Sequence, residues 1–77
     1  MPADPQPDRV LTHRRAIGAR IRAAREAAGL TQEKLGELAN ADRKTINRIE
    51  YAISDPPLSL LILLADAIGV PLSDLVR

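Results

Sequence analysis

Arg43, Lys44, Asn47 and Arg48 put four strong hydrogen-bonding side chains within six positions of a 77-residue chain. On a helix turning about 100° per residue, with Ile46 set at zero, Ile49 falls near 300° and the apolar direction near 330°. Lys44 at about 160°, Tyr51 at about 140°, Arg48 at about 200° and Asn47 at about 100° surround the opposite direction. Arg43 stands at the start of the same helix. Arg and Lys can donate two hydrogen bonds to guanine O6 and N7, and Asn can pair with adenine; each good pair gives about 1–3 kcal/mol of discrimination. The same residues on an isolated helix make an ordinary solvated face, so the surrounding elements must decide what the face is for.

Other chemistry does not assemble. His13 has no carboxylate or nucleophile at a meaningful spacing, and Ser54, Ser59 and Ser73 lack a base. Glu33 and Glu37 are an i, i+4 pair that reads as a solvated helix surface. The four glycines are isolated, so no glycine-rich phosphate cradle forms. With no Cys and a single His, the sequence excludes a disulfide scaffold, thiol catalysis and a Cys/His metal site. The expectation is a protein that is not an enzyme and has no cofactor or metal.

A chain of this length is one domain with a thin core. Aromatics are 1% and hydrophobics 45%, so that core must be aliphatic. The formal net charge of +1 conceals blocks. Arg14, Arg15, Arg20, Arg22 and Arg25 occur without an acid over 13–25, and Arg43, Lys44 and Arg48 face only Glu50 over 43–51. Between them, Glu26, Glu33, Glu37 and Asp42 outnumber Lys34. Two basic blocks suggest one basic face suited to a polyanion. No stretch approaches the roughly 20 apolar residues of a membrane span, and no signal peptide opens the chain. A cytoplasmic domain is expected.

The elements follow from spacing. Pro2, Pro5 and Pro7 make 1–11 a flexible tail and place the folded domain at 12–77. A first helix runs from Thr12, a plausible N-cap, to Ala28, with Ile17, Ile21, Ala24 and Ala28 on one face and Gly29 closing it. Thr31 caps a second helix with Leu35, Leu38 and Ala39 inward, ending at Asn40. Asp42 caps a third, Arg43 to about Tyr51, so two short helices meet through a three-residue turn and must cross steeply. Pro57 opens a fourth helix with Leu58, Leu61, Ile62, Ala65 and Ile68 as its core stripe and Gly69 at its end. A last turn docks Leu72 and Leu75.

The stretch Gly29-Leu30-Thr31-Gln32-Glu33-Lys34-Leu35, then Leu38-Ala39, then Thr45-Ile46-Asn47-Arg48-Ile49-Glu50, resembles the phage repressor and Cro-type (XRE-like) helix-turn-helix family. Leu58, Leu61, Leu64-Ala65, Ile68-Gly69-Val70, Leu72 and Asp74-Leu75 continue the match, which covers about Ile17 to Val76. The resemblance implies an all-α, compact five-helix lambda-repressor-like domain whose second and third helices form the helix-turn-helix. It implies that the third helix enters the DNA major groove, with Arg43, Lys44, Asn47 and Arg48 as base readers. It assigns Gln32, at the start of helix two, to phosphate. Arg20 and Arg22 are the first-helix candidates for phosphate, and Tyr51 either stacks at the DNA edge or packs on the following loop. The matching residues also imply a structural ion pair between Arg25 and Glu50, which removes Arg25 from the DNA contacts.

Departures from the family pattern matter too. Ala52 stands where Gly is frequent, so that C-cap is strained or different. Asp42 replaces a frequent Ser or Thr; it caps well but would repel phosphate. Leu60 and Leu63 fall outside the core face of helix four, where relatives often carry polar residues. They suggest a homodimer seam, with Leu72, Leu75 and Val76 contributing, and recognition helices about 34 Å apart on a near-palindromic operator. The functional expectation is a sequence-specific DNA-binding transcriptional regulator with double-stranded DNA as partner and no evident small-molecule effector. The alternative is a protein-interaction module, such as the antitoxin of a toxin–antitoxin pair, using helix four as its partner surface.

Overall fold

A computed structural model describes residues 6–77, and five helices follow one another: α1 Gln6–Ala27, α2 Gln32–Ala39, α3 Arg43–Glu50, α4 Leu58–Ile68 and α5 Ser73–Val76. The expected all-α five-helix domain is what is found. The first helix is longer than its spacing predicted. It starts at Gln6, so 6–11 is helical, while 1–5 of the expected tail lies outside the described residues. Pro7 falls in the first turn, where a missing N–H costs no helical bond, and Asp8 there complements the helix dipole. Thr12 is therefore not a cap. Its hydroxyl donates back to the Asp8 carbonyl at 2.9 Å, a bond made inside a helix.

The helix ends carry the chemistry their residues suggested. Leu30 N–H donates to Arg25 O at 3.1 Å and Gly29 N–H to Glu26 O at 3.0 Å, the paired bonds of a Schellman motif. Thr31 accepts from Lys34 N–H at 2.9 Å, and Asp42 accepts from Thr45 N–H at 2.7 Å. Asn40 takes the left-handed conformation, φ 59°, between α2 and α3. Gly36 lets this turn close. A Cβ there would collide with the Ala41 carbonyl, so a side chain would force α2 and the turn apart.

The core is aliphatic, with Ile21, Leu35, Ile46, Leu64 and Leu75 fully buried. Ile17, Ala24 and Leu60 pack partly against it. Its membership corrects the expected stripes in three helices. Leu38 on α2 is 52% exposed. On α4 the buried set is Leu61, Leu64, Ala65 and Ile68, while Leu58 at 63% and Ile62 at 43% exposure face outward. Leu58 to Leu64 is apolar at every position except Ser59, so periodicity alone offers several stripes and packing selects one. Ala28, at the end of α1, is exposed as well. Leu75, expected at a homodimer seam, is wholly buried in this chain's own core and is unavailable to a partner. Leu60 and Leu72 are half-buried against the same core, whereas Leu63 and Val76 are exposed.

Candidate nucleic-acid interface

The third helix is placed by three separate holds. Its start is fixed by the Asp42 cap, whose carboxyl is pushed below its ordinary 3.8 chiefly by the hydrogen bond from Thr45 N–H. Its apolar side, Ile46 and Ile49, is buried in the core. Its end is locked to α1 by Arg25 and Glu50. Arg25 Nε lies 2.6 Å from Glu50 Oε2, and a terminal nitrogen of the same guanidinium lies 3.0 Å from Oε1. The other terminal nitrogen donates to Leu30 O at 2.8 Å. The ion pair that the family resemblance implied is thus present, bidentate and buried. The Glu50 hydrogen bond holds the Arg25 guanidinium above its usual range.

Held this way, α3 turns Arg43, Lys44 and Arg48 into solvent and leaves Asn47 half-buried beside α2. Arg43, Lys44 and Arg48 form no ion pair among the described residues, so their donors are free for a ligand. Gln32 is not a loose first-turn residue. Its side-chain NH2 donates to Glu50 Oε1 at 3.1 Å, and its carbonyl accepts from Asn47 Nδ2 at 3.4 Å. One amide hydrogen of Gln32 is left for an external partner.

Arg22 and Tyr51 come together across α1 and α3, the guanidinium carbon 5.6 Å from the ring centre. The ring therefore turns toward α1 and not onto the following loop. Arg22 also pairs with Glu26 at 3.5 Å one turn along α1. Both Arg22 and Tyr51 line an open groove of about 510 Å³ between α1 and the end of α3, with Arg15 beside them. Arg15 belongs to the first basic block, where Arg20 and Arg22 were preferred to it. Its signal was the seven-residue interval to Arg22, which brings the two to nearly the same side of a helix. Arg20, two residues before Arg22, leaves α1 about 200° away and does not line the groove. The structure does not bring Arg20 together with the other candidates.

Arg14 has a structural task instead. It donates to Ala52 O at 2.8 Å, and its Nε lies 2.6 Å from Asp55 Oδ1 as a charge pair without an aligned hydrogen bond. It thereby anchors the chain leaving α3. That exit is the strained cap the sequence suggested. Ala52 has φ 59°, with Ile53 N–H on Arg48 O at 2.8 Å and Ala52 N–H on Ile49 O at 3.1 Å. This is a Schellman motif with alanine at the position that favours glycine. Among the described residues no group of three or more His, Cys, Asp or Glu side chains gathers as metal ligands. No helix is long and apolar enough to cross a membrane.

Two short helices joined by a three-residue turn present a basic outer face on the second member. The family profile described as "Helix-turn-helix" matches residues 21–75. This chain belongs to that helix-turn-helix family. The family match spans the last part of α1 through α5 and includes every held contact of α3. The immunity repressor protein of Bacillus phage phi105 is 40% identical over 60 residues; the aligned region is 78% of this chain and 42% of that protein, so the chain spans less than half its length. The restriction-modification controller protein C.AhdI from Aeromonas hydrophila superposes with a TM-score of 0.77 at 31% identity, over 79% of this chain and 92% of that one. The clp gene regulator ClgR from C. glutamicum also superposes with a TM-score of 0.77, at 26% identity and over 80% of each chain.

Proposed function

We propose that this helix-turn-helix protein is a sequence-specific DNA-binding transcriptional regulator that lays α3 in the major groove of double-stranded DNA. The observation that carries this reading is the free cationic face of α3. Arg43, Lys44 and Arg48 are exposed without ion-pair partners among the described residues, on a helix rigidly held from behind. Lys44, Asn47 and Arg48 read base edges, with Arg43 at the helix start beside them. Arg22, Arg15 and Tyr51 meet the phosphates flanking the groove, and Gln32 adds its one uncommitted amide hydrogen at the α2 N-terminus. The names of its relatives, an immunity repressor and a restriction-modification controller, agree with control of transcription. The chemistry is binding and not catalysis.

The protein acts as a homodimer through the outer side of α4. Leu58, Ile62 and Leu63 are exposed together on one helix, with Val76 also exposed on the last turn. Covering them removes apolar surface that a thin core leaves uncovered. Two-fold pairing sets the two α3 helices about one DNA turn, ~34 Å, apart and makes the operator near-palindromic. Selection of bound sequences from random duplexes tests both parts. A single enriched motif with two inverted half-sites is expected, bound with steep salt dependence. Equal, weak retention of every duplex would refute base reading, and an enriched single half-site would refute the dimer.

A further inference from the structure

Glu50 lies at the buried end of a hydrogen-bond chain whose other end reaches the base-reading face. Its side chain is fully buried and both of its oxygens take N–H bonds from Arg25, so it stands as an acceptor of hydrogen bonds. The Gln32 carboxamide that touches Oε1 must therefore present its NH2 to it. The Gln32 carbonyl is then directed at Asn47, and only the NH2 of Asn47 can answer it. Two carboxamides that could each turn end over end are thus set by one buried charge. The outer rim of Asn47 keeps its carbonyl and its second amide hydrogen in a fixed order. Adenine offers N6–H₂ and N7 in a fixed order in the major groove, and a carboxamide meets both only when its own order matches.

We propose that Glu50, acting through Gln32, is a positioning residue that holds the Asn47 carboxamide in one of its two orientations and so makes the base under Asn47 selective for adenine. The proposal rests on reading α3 as the base-contacting helix. It gives Arg25 a second consequence: the guanidinium that binds both Glu50 oxygens also keeps the relay pointing one way.

Gln32→Met cuts the relay while leaving Arg25 and Glu50 paired, since methionine keeps the length and helix preference of glutamine without its hydrogen bonds. Base preferences are measured position by position on variants of a selected duplex, for the wild type, Gln32→Met, Asn47→Ala and the double variant. The wild type should prefer adenine at one position by roughly 5- to 150-fold, the range of a good bidentate pair. Asn47→Ala identifies that position by erasing its preference. Gln32→Met should flatten the same position, leave the Lys44- and Arg48-dependent positions standing, and add no more than about twofold in the double variant. An adenine preference that survives Gln32→Met, whether affinity drops uniformly or not, overturns the relay while leaving base reading by α3 intact. A wild type without any base preference overturns the α3 reading and the relay with it. If Gln32→Met melts, the unaltered protein still decides: by NMR one Asn47 Nδ2 proton should be protected from solvent exchange, and two equally exposed protons overturn the proposal.

Discussion

Replacing Arg25 by Met should unfasten the α1–α3 contact at a large cost in stability. The Glu50 carboxylate would remain fully buried with its guanidinium gone, and the Leu30 carbonyl would lose a donor. Removing one partner of a buried pair costs about 3–5 kcal/mol because it strands an uncompensated charge. Natural domains hold about 5–15 kcal/mol in all, and small ones sit at the low end. The variant should therefore lose most of its stability, with a Tm drop of more than about 12 °C at roughly 4 °C per kcal/mol. Urea unfolding followed by circular dichroism at 222 nm measures it. Replacing both residues, as Arg25→Met/Glu50→Met, removes the stranded charge and should recover most of the loss at pH 7. A cost below about 1 kcal/mol for Arg25→Met, or a double variant no more stable than Arg25→Met, would show that the pair is not the lock described.

Ala52→Gly should stabilise by about 0.5–1 kcal/mol: relief of the left-handed alanine, about 1–2 kcal/mol, outweighs the glycine entropy in the unfolded chain. Thermal melts of the two proteins decide, and a lower Tm for the glycine variant contradicts a strained cap. The lowered Asp42 pKa makes its cap stabilising above about pH 3.8, with that contribution lost as pH falls through the folded value. Asp42→Asn, which still caps, should flatten this acid limb in urea titrations between about pH 2 and 5. Leu75→Ala should cost about 2–5 kcal/mol in stability, whereas Leu63→Glu should convert dimer to monomer and lower the Tm only by the concentration-dependent share that association contributes. Sedimentation of both variants checks the contrast.

The fold was legible because its punctuation is local. Thr31, Asp42, Gly29 and Asn40 mark helix ends by the backbone groups they satisfy or the conformations they tolerate, and all four act as read. The start of α1 was not legible. Three prolines look like breakers, but a proline in a first turn breaks nothing. The inner side of α4 was ambiguous because leucines on every side leave periodicity without contrast, so Leu64 was passed over for Leu58 and Ile62. Placing Leu75 at a seam failed for a related reason. A thin core takes whatever apolar groups the last turn can deliver. At the candidate interface, the exposure of residues on one helix was readable from angle alone, as with Lys44 and Arg48. The connection of Glu50 to Gln32 and Asn47, and the meeting of Arg22 with Tyr51, join different helices and depend on where those helices cross. Arg14 looked like one more basic residue, and only its approach to Ala52 and Asp55 shows that it serves the loop.

The most direct measurement is titration of the selected duplex with the wild type and with Lys44→Ala and Arg48→Ala, each variant first shown to melt like the wild type. Each truncation should weaken binding by about 1–3 kcal/mol and erase preference at its own base position. Unchanged affinity and unchanged preference in both variants would mean that α3 does not read the bases.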